Sequence, residues 1–338
     1  MSDDTTGRRA VAAAPDCRAA ALRPQVGVVL PTREALRRNT PELLSSFALA
    51  AEERGFRSVW AGDSLLARPV FDPFTVLGAA AAVTRRVLLG TAVLLAPMRP
   101  PVLTAQAIAS LDQLSGGRLI IGVGRGFDLP ETRREFAAAG ADFASRTRRM
   151  RDTLALWRRL WSDGRASMDT EYACLDDEAV LPPVSRPGGP PVWLAGFGSN
   201  AFADTGRLAD GWLPYPPTPD KYRHGLARVH EAAEAAGRAP ASITPAVMVT
   251  INVGEPTSSQ RDLGAYVQEF YGFPLEAVSL IQACRAGPAT RILADLRAYW
   301  DAGARALILR VASLVEPERQ LDALAQDLLP QIEKWSDT

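Results

Sequence analysis

Two glycine-bearing stretches and one acid–hydroxyl pair hold the residues whose types and spacing suit chemistry. In PVWLAGFGSNAFADTGRLADGW, Gly196 and Gly198 free the backbone for a tight turn, and Ser199 to Ala201 open a segment of helical periodicity. The unpaired N–H groups and positive dipole end of such a helix suit a phosphate. GFGSNA also satisfies the Gly-x-Gly-x-x-Gly/Ala form of the dinucleotide fingerprint. A Rossmann unit, however, places that motif in its first βα turn, with an acid at the end of the following strand. Here four candidate strands come first and Asp210 precedes its strand. The readings left are a barrel phosphate site and a purely structural glycine turn.

In LIIGVGRGF, Gly122, Gly124 and Gly126 run from a strand end into a loop, and no helix follows at once. That removes the Walker and Rossmann modes of holding a phosphate. Arg125 remains, a permanent cation able to pair bidentately with a phosphate; a salt bridge to Asp128 or Glu131 is the competing structural reading. In WAGDSLL, Asp63 and Ser64 end another candidate strand. An acid and a hydroxyl there can orient a cofactor ring or a substrate, or simply close a turn on their own backbone. The two histidines, His224 and His230, stand six apart on one helical segment, the wrong separation for two ligands on one face. Cys17, Cys174 and Cys284 show no paired spacing, so neither a zinc site nor a disulfide framework is indicated.

The elements that must position these residues alternate regularly from residue 25 onward. Short apolar runs (QVGVVL, FRSVWA, RVLLGTAVLL, RLIIGVG, PVWLAG, DGWLPY, ITPAVMVTINV, ARALILRV) read as strands separated by helical segments. Eight such strands predict an α/β fold of the closed (β/α)8 TIM-barrel type rather than an open doubly wound sheet. One barrel domain is expected over residues 25–335, with insertions near 126–145, 164–190 and 272–287 at the C-terminal face, after a disordered Ala/Arg-rich tail over 1–24. Barrel chemistry sits at the carboxyl ends of the strands, and all the candidate residues fall there. The third strand end, TAVLLAPMRPP, brings small residues to the rim, where a flat ring could lie against backbone or where the core simply packs.

Composition narrows the partners. Lys and Arg (38) balance Asp and Glu (38), which excludes the electrostatic footprint of a general nucleic-acid binder. No apolar run approaches the roughly 18 residues of a membrane span. A small organic molecule and a cytoplasmic setting are the expectations.

With these motifs in place, the sequence resembles the bacterial luciferase-like superfamily of flavin- and deazaflavin-dependent oxidoreductases. LDQLSGGRLIIGVGRG is similar to its most distinctive segment, LGTAVLLAPMRPPVLTAQAIASLDQLS to the stretch before it, and PPVWLAGFGSNAFADTGRLADGW to its phosphate region. The resemblance implies a flavin at the carboxyl face, with its phosphate at Gly196, Gly198 and Ser199, its ring against the backbone of Ala92 and Val93, and Arg125 as a further phosphate contact. Many members carry a histidine after the acid that ends the second strand, whereas this chain has Asp63-Ser64. The reading it favours is a two-component monooxygenase using reduced FMN, O2 and a separate flavin reductase to oxygenate a small organic substrate, with Asp63 and Ser64 as the catalytic candidates. Hydride transfer with coenzyme F-420 is the alternative, and a non-catalytic flavin-binding barrel the third. A homodimer is expected; nucleic acid, membrane and metal are not.

Overall fold

The computed structural model describes residues 24–179, 182–216 and 218–336. Apart from Pro24, the expected tail lies outside the described residues. Its strands are β1 (Gln25–Val29), β2 (Ser58–Ala61), β3 (Leu88–Thr91), β4 (Leu119–Val123), β5 (Ala166–Thr170), β6 (Ala173–Glu178), β7 (Val192–Leu194), β8 (Gly211–Trp212), β9 (Thr244–Val253), β10 (Cys284–Gly287) and β11 (Ala306–Val311). Eight of them pair in parallel in the ring β1-β2-β3-β4-β7-β8-β9-β11, and β11 closes back on β1. The fold is therefore the expected (β/α)8 TIM barrel. β10 adds to the outer flank of β9, and β5 and β6 form a separate antiparallel hairpin.

Side chains on the ring strands alternate between two cores, as the period of a strand demands. Val247, Val249 and Ile251 face the surrounding helices, while Ala246 and Met248 face inward with Trp60, Ile120, Trp193, Leu213, Ala306 and Ile308. The two tryptophans meet inside the barrel with ring centroids 5.2 Å apart. Glycine makes room for them: a Cβ on Gly90 would lie 2.0 Å from the Trp60 ring. The interior is thus a packed plug that forces any ligand onto a face.

Local signals set the helix limits. Asp72 caps helix Pro73–Val83 by accepting from the Phe74 and Thr75 amides, and Gly116, left-handed, ends helix Pro101–Ser115. At the amino-terminal face the buried Arg118 guanidinium donates to the carbonyls of Ser115, Val87 and Thr84 and to Thr84 Oγ1. Its burial is tolerable because it is hydrogen-bonded throughout.

The structure departs from the sequence reading mainly in the excursions. The segment after β4 contains helix Pro130–Ala138, the segment before β7 the β5–β6 hairpin, and the segment after helix Pro256–Tyr271 a short helix, Leu275–Ser279, ahead of β10. A helix over Thr32–Arg38 follows β1. The third strand stops at Thr91 instead of reaching Leu95; the chain turns through Ala92–Val93, whose peptide bond is cis, into a 3-10 turn at Ala96–Met98.

Candidate active site

The carboxyl ends of the ring strands form a mouth with two unlike halves. On β2, β3, β4 and β7 the positions in phase with the interior are Gly62, Ala92, Gly122, Gly124 and Ala195. None has a side chain larger than a methyl, so this half leaves flat space against backbone. On β8, β9 and β11 the corresponding positions are Tyr215, Thr250 and Arg310. Among these inward-phase positions, polar side chains are confined to that half.

The small-residue half carries an anion corner. β4 and β7 are neighbours, and the Ala195 amide donates to the Val123 carbonyl, so the Arg125 loop and the Gly196 turn leave the barrel side by side. Gly196 and Gly198 hold φ of 123° and 112°, a region that L side chains rarely enter. Helix Ser199–Leu208 starts there with no side-chain cap; its first backbone bond runs from the Phe202 amide to the Gly198 carbonyl. The amides of Ser199, Asn200 and Ala201 consequently point outward unpaired within the helix. Among the described residues Arg125 reaches only Thr147 Oγ1, at 3.4 Å. Its two sequence-predicted carboxylate partners are engaged elsewhere, Asp128 with Arg133 and Glu131 with Arg134. A guanidinium without a carboxylate beside free helix amides fits a phosphate.

Asp63 and Ser64 stand at the rim, but their polar atoms are taken up by the protein. Arg99 grips the Asp63 carboxylate with Nε at 3.1 Å and Nη2 at 2.8 Å, and the Leu95 amide donates to it at 3.0 Å. Asp63 thereby braces the turn that carries Ala92 and Val93. The Ser64 hydroxyl donates to Glu135 Oε1 at 2.7 Å and accepts from the Arg68 amide. The same Glu135 oxygen accepts from the Leu65, Leu66 and Ala67 amides, pinning this loop to helix Pro130–Ala138.

The polar half was not singled out in the sequence. Arg310 is buried, and its Nη2 and Nη1 donate to the hydroxyls of Tyr215 and Tyr271, each at 2.7 Å. Tyr271 passes its own proton to Gln282 Oε1 at 2.9 Å. Burial would lower the Arg310 pKa, and the surrounding tyrosines Tyr215, Tyr271 and Tyr266 more than reverse this, so its charge is secure. Burial pushes the Tyr215 phenol up to about 12 against the pull of Arg310, which keeps it protonated at neutral pH. Next to Arg310 across the sheet, the buried Thr250 Oγ1 has no hydrogen-bond partner among the described residues. The signal available in the sequence was phase: an arginine in the apolar strand ALILRV, in register with its inward residues.

A cavity of about 660 Å³ opens beside this half, lined by Arg33, Leu36, Arg68, Phe270, Tyr271 and Phe273. Behind it Glu34 is buried, with Oε1 unpartnered and Tyr266 bonded to the carboxyl group. Burial drives its pKa up to about 7. Among the described residues no group of His, Cys, Asp and Glu could hold a metal ion, and no helix is long and apolar enough to cross a membrane.

The barrel gathers the candidate residues at the carboxyl ends of its strands, and comparison with known proteins gives the family. The profile of the luciferase-like monooxygenase family matches residues 25–325, and the chain belongs to that family. It is an enzyme. An F420-dependent glucose-6-phosphate dehydrogenase of Kineococcus radiotolerans is 30% identical over 322 residues, covering 86% of this chain and 93% of that one. A phthiodiolone/phenolphthiodiolone dimycocerosates ketoreductase of Mycobacterium tuberculosis is 36% identical over 188 residues, covering 54% of this chain and only 48% of the relative, so the chain spans about half the length of that protein. The solved structure of a monooxygenase from Streptomyces bottropensis superposes with a TM-score of 0.75 at 22% identity, over 91% of this chain and 99% of the other, a likeness of fold alone.

Proposed function

We propose that this protein is a coenzyme F-420-dependent oxidoreductase that transfers a hydride between the deazaflavin and a small organic alcohol or carbonyl compound. The observation that carries this choice of cofactor is the near-full-length similarity to an F420-dependent dehydrogenase, whereas the likeness to the monooxygenase structure extends to fold only. The order of the two readings favoured by the sequence is thereby exchanged. The ketoreductase match, which spans 48% of that protein, supports a carbonyl or alcohol as the substrate class.

The mouth fits such a cofactor. Gly62, Ala92, Gly122, Gly124 and Ala195 would leave one side of the mouth free for the ring, next to the Val93 backbone. Gly196, Gly198 and the Ser199 to Ala201 amides, with Arg125, would hold its phosphate. Bound there, the deazaflavin supplies the hydride chemistry; the chain's own part is to orient the two reactants, keep water out and manage the proton. Asp63 and Ser64 would serve by fixing the rim through Arg99 and Glu135. The cavity at Arg33 and Phe270 would admit the organic substrate on the polar side.

The second reading, oxygenation with reduced FMN supplied by a reductase, draws on the same anion corner, because FMN also ends in a phosphate. Anaerobic fluorescence titration with each reduced cofactor separates the two. Tight binding of F-420 with weak FMN binding is expected; tight FMN binding without F-420 binding overturns the proposal.

A further inference from the structure

We infer that Tyr215 is the catalytic proton donor to the substrate oxygen and that Arg310 is the residue that aims it. The inference rests on the hydride-transfer reading and deepens it, since the histidine many family members place after the second strand is replaced by Ser64, and Ser64 gives its proton to Glu135.

Three observations carry it. Tyr215 lies three residues past the end of β8, half-buried and packed on the same interior cluster as Val93 and Ala92. It therefore stands opposite the small-residue half. Its oxygen accepts from Arg310 Nη2 at 2.7 Å, and among the described residues it has no other hydrogen-bond partner. An oxygen that is already accepting from a permanent cation directs its own proton elsewhere. Tyr215 is partly exposed, so that proton is left for a group bound at the mouth. Tyr271, held by the same guanidinium, makes the contrast: its proton is given to Gln282. Tyr215 is a donor without an acceptor, fixed in direction by a charge that also favours the phenolate left behind, and unlike the buried Thr250 hydroxyl it is partly exposed.

In the carbonyl-reducing direction, the reduced deazaflavin held at the Gly196 turn and Arg125 would supply the hydride for a new C–H bond at the carbonyl carbon. The C=O π pair moves onto oxygen, that oxygen takes the phenolic proton, and the Tyr215 O–H bond breaks. The ketone gains two electrons and the deazaflavin loses two. The proton released on oxidation of the deazaflavin returns through solvent to the phenolate. Alcohol oxidation is the reverse.

The test uses the cofactor-free full-length protein, so that a failure of cofactor binding appears separately in the titrations above. Infrared difference spectra are recorded for carbonyl-labelled cyclohexanone and 2-heptanone in the presence of wild type and Tyr215→Phe. Wild type is expected to show a bound band shifted to lower frequency by the phenol. The variant should lose that shift while keeping its melting temperature, and should bind the ketone about fivefold more weakly. Uniform replacement of tyrosine by 3-fluorotyrosine, a more acidic phenol, should deepen the wild-type shift without any substitution of the fold. A shifted band that survives Tyr215→Phe, a shift indifferent to fluorination, or no shifted band with either ketone overturns the assignment.

Discussion

Replacing Glu34 by glutamine tests how the rim stores charge. The carboxyl group lies 2% exposed, with Oε1 unpartnered and Tyr266 as its hydrogen-bond donor, facing Arg33 on its own helix and Arg310 on β11. Burial dominates and lifts its pKa from 4.5 to about 7, against smaller opposing contributions from hydrogen bonds and the two arginines. A raised folded-state value means that the native protein holds a proton which the unfolded chain releases. The stabilisation is therefore complete below pH 4.5 and is lost as pH rises through about 7. The difference corresponds to about 3 kcal/mol. Urea unfolding of wild type and Glu34→Gln between pH 4.5 and 8 measures it. Because other carboxylates titrate in both proteins, the quantity to follow is the wild-type stability minus that of the variant. It should fall by about 3 kcal/mol across the range. A difference that stays within about 1 kcal/mol, or one that rises with pH, refutes the burial argument.

Other expectations follow from the same contacts. Arg125→Ala should weaken binding of the reduced cofactor at least about tenfold by removing a charge-assisted contact to phosphate, and unchanged titrations would take Arg125 out of the site. Gly122→Ala places a Cβ 2.1 Å from the Thr91 carbonyl oxygen, where backbone meets backbone; a loss of about 3 kcal/mol or more is expected in thermal unfolding, and a neutral result contradicts the β3–β4 approach. Asp63→Ala leaves the Arg99 guanidinium without its bidentate partner and should cost about 3 kcal/mol in denaturant unfolding. Glu135→Gln withdraws the charge on which four donors converge, and faster amide exchange at Leu65, Leu66 and Ala67 is the expected signature.

The ring was legible because its strands are buried on both faces and so read as continuous apolar runs between capped helices. Where that logic stops, so did the reading. RVLLGTAVLL stays apolar past Thr91, but beyond it Ala92 and Leu94 are buried and Val93 and Leu95 half-buried at the mouth, with an isolated bridge from Leu94 to Val123 in place of a continuing strand, and composition does not distinguish the two. The β5–β6 hairpin alternates buried and exposed positions on a two-stranded unit, and the acidic residues Asp169, Asp176 and Asp177 obscured its period. At the site, the phosphate turn was readable from local order alone, because Gly196, Gly198 and the helix start are consecutive. Whether Arg125 pairs with Asp128 or Glu131 was not, since that depends on Arg133 and Arg134 competing for the same acids. Tyr215 and Arg310 lie 95 residues apart, and only ring closure brings them together.

The division of the mouth has a consequence for how such a chain can diversify. The residues proposed to hold the cofactor come from strands early in the ring, and those proposed to face the substrate from β8, β9 and β11. No hydrogen bond joins Tyr215, Thr250 or Arg310 to the Gly196 turn or the Asp63 brace among the described residues, so substitutions at those three positions leave the polar contacts of both in place. New substrates can thus be sampled on one arc of the circle while the inherited cofactor seat on the other arc is preserved.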